Sequence, residues 1–330
     1  MACRVRVMSA AVLVLLGCQG FAVTAFGDSS DRDQERPKIR KLGTIDCDLV
    51  EASPVVFKGR LYRFEYVRAQ YKLNATGASY FRFVDIATGE ATPSFAAEIQ
   101  LGSAFVEDDT VYVYGVKGWG TDTIYAFWSK DLKTWSSRAV LTETGWGIYN
   151  STVCRAGDRY IMAFEVGKPP EVVGRRFTSR FAESDDLVHW KLLSDSHVYT
   201  KERYSACPSL RYFDGWYYMT YLEARPGPTY ETHIVRTKDL IDWQSSPLNP
   251  VLRHSPEDKQ IANAKLTAAQ RERIAGAKNI NNSDVDFCEF EDKVVIYYSW
   301  GNQQGIEFLA EAVHDGTLKS FLTGFFPESK

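Results

Sequence analysis

Three glutamates close apolar runs in the same way: Phe64-Glu65, Phe164-Glu165 and Leu222-Glu223. A carboxyl that follows an aromatic or aliphatic residue at a strand end is partly withdrawn from water, and desolvation raises its pKa toward neutral pH. Such a group can hold a proton and deliver it. Two further carboxyls stand where apolar runs begin: Glu51, just before Ser53-Pro-Val-Val-Phe57, and Asp284, in Ser283-Asp-Val-Asp286. One proton-bearing and one ionised carboxyl, set on either side of a sugar, cleave glycosidic bonds. Glu51 has no counterpart in the other runs and lies near Asp46 and Asp48, so it is expected to be the ionised base. Glu223, flanked by Tyr221 and Leu222, is the expected acid, with Glu165 as its substitute; Asp284 is expected to orient the sugar or tune the acid. The competing reading is structural, because residues that recur from run to run also tie loop amides.

The elements that would position these groups are hairpins. Five pairs of β-branched and aromatic runs, each bent at Gly or Asp, begin at Ser53, Ser103, Ser151, Cys207 and Ser283. Behind three of them the chain repeats one phrase: Ser129-Lys-Asp-Leu-Lys-Thr-Trp135, Ser184-Asp-Asp-Leu-Val-His-Trp190 and Thr237-Lys-Asp-Leu-Ile-Asp-Trp243. A period of roughly 50 residues carried by short strands is the signature of a propeller in which each repeat is a blade. The expected fold is therefore all-β, a five-bladed β-propeller of four-stranded antiparallel blades. In the phrase, the aspartate is expected to cap a turn while leucine and tryptophan pack between blades. The first and last repeats use Asp85-Ile-Ala-Thr-Gly89 and His314-Asp-Gly316 instead. Ser255 to Lys278, rich in Ala, Lys, Glu and Gln, reads as a helical insertion before the fifth blade.

Antiparallel geometry brings the entries to the first strands and the exits from the second strands to one rim. That rim is expected to bind a sugar through Arg68, Trp119, Tyr149, Asn150, Arg203, Tyr204, Asn282, Trp300 and Gln303. Aromatic plates stack on sugar rings, while amides and guanidinium groups pair with hydroxyls.

The 330 residues are 45% hydrophobic and 14% aromatic, enough for a large core, and the net charge of −3 gives no footprint for nucleic acid. Residues 1–27 read as a signal peptide, with Arg4 and Arg6 before an apolar Met8 to Leu16 that is too short to span a bilayer. Two exits are open: signal peptidase cleavage after Ala22-Val-Thr-Ala25, or a lipobox ending at Cys18. The mature chain would then be periplasmic, extracellular or lipid-anchored, without a transmembrane helix. Residues 28–43 read as a flexible leader and 44–330 as the propeller. Cys47, Cys154, Cys207 and Cys288 read as free thiols. No spacing of His and Cys supports a metal site, and no cofactor is expected; calcium on the axis is left open.

With these features in place, the chain resembles the five-bladed propeller glycoside hydrolases. That group includes the arabinanase and β-xylosidase family (family 43), the invertase-like enzymes and the anhydro-galactosidases (family 117). The resemblance runs from about 44 to 326 and rests on the hairpins and the Asp-Leu-x-x-Trp phrase. It implies an exported hydrolase acting on plant or algal oligo- or polysaccharides. The family's pattern has a base aspartate before a Pro in blade one, a second aspartate in blade two and an acid glutamate introduced by Glu-Gly-Pro. Here Ser53 precedes Pro54, Ser103-Ala104-Phe105 replaces the second aspartate, and Cys207-Pro208 stands where the acid is introduced. Those departures imply a separate carboxyl set on the same scaffold, or a carbohydrate-binding propeller without turnover. Two acids facing each other across a funnel would favour hydrolysis; aromatic plates alone would favour binding.

Overall fold

The computed structural model describes residues 36–327 apart from 73, 75 and 228. The expected signal segment, with Cys18, and residues 28–35 lie outside the described residues. Nearly all regular structure is strand. Strand β1 (Arg40–Cys47) precedes an antiparallel sheet of β2 (Val50–Phe57), β3 (Arg60–Val67) and β4 (Tyr80–Asp85), extended by bridges from Ala91 and Phe95. The next sheet runs β5 (Ile99–Glu107), β6 (Thr110–Lys117), β7 (Thr123–Ser129), β8 (Ser136–Thr142). It is followed by β9 (Gly147–Ala156), β10 (Arg159–Lys168), β11 (Thr178–Ser184) and β12 (Lys191–Leu192), with the short helix α1 (Pro170–Val173) between β10 and β11. Then come β13 (Ser205–Phe213), β14 (Trp216–Arg225) and β15 (Thr229–Thr237), edged by β16 (Gln244–Ser245) and β17 (Leu252–Arg253). The last strands, β18 (Asn281–Phe290), β19 (Lys293–Gly301) and β20 (Glu307–Asp315), pair in order, and β1 completes their sheet along β20. One parallel pair, Tyr230 with Asn281, joins β15 to β18. The first strands of these groups, β2, β5, β9, β13 and β18, lie side by side in chain order, and β18 returns to β2.

Local chemistry explains the hairpins. Lys58-Gly59 (φ 49° and 73°), Asp214-Gly215 (49° and 80°) and Glu291-Asp292 (49° and 60°) place two positive φ values at the bend, the turn whose twist suits paired strands. The repeated phrase is a second turn device. Oδ1 of Asp131, Asp186 and Asp239 each accepts two backbone N–H groups, from the residues two and three places on, at 2.7–2.9 Å. Leu132, Leu187 and Leu240 take left-handed φ of 60–68° and are buried. Asp85 does the same for Ala87 and Thr88 in the variant first repeat. The tryptophans pack onto the preceding sheet: Trp135 stacks on Phe95 at 3.8 Å, Trp190 meets Tyr114 edge-on at 5.8 Å, and Trp243 stacks on Phe181 at 5.7 Å.

Two boundaries differ from the sequence reading. The leader expected over 28–43 gives way to β1 at Arg40, because the free edge of β20 supplies the hydrogen bonds that its mixed polar sequence does not announce. The insertion expected as a helix from Ser255 to Lys278 is a 3₁₀ turn, Pro256–Lys259, and a nine-residue helix α2 (Ala268–Gly276), capped by Thr267; a further helix, α3 (Leu318–Gly324), follows β20. Among the described residues, no helix is long and apolar enough to cross a membrane.

The insertion clamps β1. Lys41 Nζ reaches Asp258 Oδ1 at 2.6 Å, Asn282 Oδ1 at 2.7 Å and the Arg253 carbonyl at 2.7 Å. Asp258 is fully buried and also accepts from Tyr298, Asn279, Asn282 and the Ser255 N–H. Removing one partner of such a pair leaves the other charge buried and uncompensated. Lys41→Met is therefore expected to lower stability by about 3 kcal/mol, seen as a lower urea midpoint; an unchanged midpoint would show that β1 is not held this way.

Candidate active site

The innermost strands do not begin as regular strands. Register slips by one residue between Val50 and Ser53, Gln100 and Ser103, Ala206 and Ser209, and Ser283 and Asp286. Within each slip one residue adopts left-handed φ: Glu51 (55°), Leu101 (56°), Cys207 (51°) and Asp284 (52°). Strand β9 carries the equivalent slip at Tyr149 and Asn150, opposite Glu165. A bulge breaks strand alternation and re-aims the side chain it contains. The result is a small cavity of about 40 Å³, partly open to solvent, lined by Glu51, Ser103, Asn150, Cys207, Asp284 and their neighbours. On the β5 side the wall is bare, since a Cβ at Gly102 would lie 2.5 Å from the Phe81 ring.

Glu51 and Asp284 both line this cavity. Glu51 Oε2 is sealed from solvent and has no hydrogen-bond partner. Burial, and next the charge of Asp284, hold the Glu51 carboxyl well above the usual range, with Arg68 pulling the other way. The expectation of an ionised Glu51 at a polar entry is thus corrected: Asp48 turns away to a two-pronged pair with Arg273 at 2.7 and 2.8 Å, and Asp46 accepts from Tyr71. Asp284 accepts from the Ser283 hydroxyl at 3.0 Å. Its strand neighbour Asp286 is neutralised by Arg211 at 2.6 Å. Glu165 is buried behind the lining, and its Oε2 accepts from the Cys207 N–H at 2.7 Å and Asn150 Nδ2 at 3.3 Å. Burial pushes it up to about 7 against those hydrogen bonds. The Cys207 thiol, pushed up by burial and by the carboxyls around it, stays protonated.

The three strand-end glutamates part company. Glu65 is locked between Arg63 and Arg82, each at 2.7 Å. Glu223 pairs across with Ser205, two residues beyond the position equivalent to Glu165, and accepts from the Tyr221 hydroxyl at 2.7 Å, with Arg203 3.7 Å away. Glu223 and Arg203 therefore form a separate cluster with Tyr199, to whose hydroxyl Arg203 donates at 2.9 Å. The acid expected at Glu223 is not beside Glu51; the register slip brings Glu165 there instead.

Of the expected sugar contacts, Tyr149 and Asn150 adjoin the cavity, and Tyr204 feels the charges of Glu165 and Asp284. Gln303 lies beside Ser283 at 3.5 Å, and Arg68 pairs with Glu307 at 3.1 Å. Trp119, 68% exposed, meets Tyr149 edge-on at 5.2 Å. Two expectations are corrected. Trp300 is fully buried, stacked on Phe308 with its indole N–H on Thr44, so no sugar can reach its face. Asn282 is consumed by Lys41 and Asp258. Arg176, Phe177, Cys207 and Glu307 were not among the expected site residues. The recurring x-x-Ser at the strand starts (Glu51-Ala-Ser53, Leu101-Gly-Ser103, Tyr149-Asn-Ser151, Cys207-Pro-Ser209) marks the bulge positions and contained the signal for Cys207.

No protein-family model matches the chain, and a search of curated sequences returns no match. Solved structures do match in fold. An α-L-arabinofuranosidase from Podospora anserina, in complex with cellotriose, is similar at TM-score 0.58 and 8% identity, covering 86% of this chain and 99% of that one. An α-L-arabinofuranosidase from Lactobacillus brevis follows at TM-score 0.56 and 14% identity, with 86% and 95% covered. A glycosyl hydrolase from Bacteroides ovatus gives TM-score 0.55 and 11% identity, with 82% and 84% covered. The chain shares the fold of glycoside hydrolases.

A carboxyl whose pKa is higher folded than unfolded opposes folding once pH passes the unfolded value. For Glu165 that opposition grows from about pH 4.5 and levels off above about 7. Glu165→Gln is therefore expected to be favoured over the wild type by up to about 3 kcal/mol more at pH 8 than at pH 4, measured by urea unfolding at both. Equal pH profiles for the two proteins would show that Glu165 titrates normally.

Proposed function

We propose that this chain is an exported glycoside hydrolase built on a five-bladed β-propeller, which cleaves plant or algal oligo- or polysaccharides with Glu51 as general acid and Asp284 as its partner carboxyl. The observation that carries the reading is the asymmetry between two carboxyls on one cavity. Glu51 has a sealed, unpartnered oxygen and is held protonated by burial and by the charge of Asp284. A carboxyl held protonated beside a second carboxyl on the same cavity is placed to act as an acid. Glu51 passes its proton to the glycosidic oxygen as the C–O bond breaks. Asp284 faces the anomeric carbon, directly or through a water whose proton it takes. Glu165 is a positioning residue that fixes Asn150 and the Cys207 amide. Blade count is supported by the closed succession β2, β5, β9, β13, β18, and export by the basic-then-apolar start of the chain. The fold shared with arabinofuranosidases supports a glycan substrate.

The roles are separable by leaving group. Glu51→Gln is expected to lose about 10²–10⁴-fold in kcat on alkyl glycosides, yet keep most of its rate on dinitrophenyl glycosides, whose leaving group needs no proton. Asp284→Asn should fail on both. A Glu51→Gln enzyme with wild-type rates on alkyl substrates would remove Glu51 from the acid role. Wild-type protein that binds several sugars and cleaves none is a carbohydrate-binding propeller instead.

A further inference from the structure

We infer that the glycan is anionic, and that Arg176 reads its carboxylate or sulfate group. The inference rests on the glycan reading above and names the substrate class. Five aromatic rings form a continuous arc: Trp119, Tyr149, Phe177, Tyr204 and Tyr230, with successive centroids 5.2, 5.0, 5.7 and 5.8 Å apart. The arc is tied to the site, because Tyr149 precedes the lining residue Asn150 and Tyr204 feels the carboxyls of Glu165 and Asp284. Arg176 sits on it, its guanidinium 5.0 Å from the Phe177 centroid and donating to the Tyr149 hydroxyl at 3.4 Å.

Charge pairing sets Arg176 apart. Other guanidinium groups are already matched: Arg68 with Glu307 at 3.1 Å, Arg225 with Glu231 at 3.4 Å, and Arg63 and Arg82 with Glu65. Arg203 has Glu223 at 3.7 Å. Among the described residues, no carboxylate lies within ion-pair distance of exposed Arg176, although its charge is felt at Glu165. Arg175 adds a second exposed cation, and its amide bonds the carbonyl of exposed Lys201 at 2.9 Å, binding the two loops together. Arg180, in the same run, is not part of this group: it is buried, paired with Asp195 at 2.8 Å.

The mouth is thus polarised in a chain whose net charge is −3. The Asp284 carboxyl stands on one side, and Arg176 offers an unmatched planar fork on the other. A guanidinium pairs with carboxylate or sulfate through two parallel hydrogen bonds, while exposed Trp119 at the end of the arc supplies a face for a sugar ring. An acidic sugar is thereby drawn in with its charge away from the reacting carboxyls.

Calorimetry with trigalacturonate, a sulfated galactan tetrasaccharide, arabinotriose and xylotriose tests this, with cleavage scored separately. One or both acidic probes should bind at least about tenfold tighter than the neutral ones, and the advantage should shrink with added salt. Arg176→Gln should abolish that advantage and Arg176→Lys should restore part of it. Neutral probes that bind as tightly as both acidic ones, or an Arg176→Gln protein that keeps the preference, would overturn the inference. Acidic probes bound through Arg176 but left intact would uphold it while removing the hydrolase reading. Neutral probes cleaved with no contribution from Arg176 would do the reverse.

Discussion

A left-handed residue near the start of an innermost strand is the constraint on which the candidate site depends. Glu51, Cys207 and Asp284 each occupy a backbone conformation that an L-residue with a Cβ enters at a cost of about 1–2 kcal/mol. That cost is offset by the hairpins behind them, each with a regular ladder and a turn closed by two positive φ values, and in the first and fourth repeats by an aspartate-capped corner as well. The reward is geometric. A regular strand would alternate its side chains between faces, whereas the extra residue turns Glu51 and Asp284 onto one cavity.

Concentrating carboxyls there has an electrostatic consequence. Burial disfavours the charged form of each, and each ionised neighbour disfavours it further. Glu51 and Glu307 are raised in this way, as is Glu165, while Arg68 and Arg176 supply the opposing positive charge. The cluster opposes folding near neutral pH, which is the usual relation between an active site and the scaffold that carries it. Here the scaffold's reserve includes the clamp on β1, where a half-buried lysine and a fully buried aspartate 217 residues further along the chain are saturated with hydrogen bonds.

Much of the architecture was legible in the sequence because it rests on local rules. Gly and Asp at the bends, and Asp-Leu-x-x-Trp at the corners, specify turns within a few residues of themselves. The strand-end glutamates were legible only as a class. Their separation into locked Glu65, cavity-side Glu165 and outlying Glu223 depends on register against the neighbouring strand. Trp300 and Asn282 were read as rim residues from their place at strand ends, but both are claimed by elements distant in the chain, Thr44 for one and Lys41 with Asp258 for the other. Strand β1 escaped notice for the same reason, since its pairing partner lies at the opposite end of the sequence.

The central claim is that Glu51 carries a proton at neutral pH on the cavity that it shares with Asp284. A neutron crystal structure at pH 7 addresses it without reference to any substrate. The account expects deuterium density on a Glu51 carboxyl oxygen. A bare Glu51 carboxylate would contradict it.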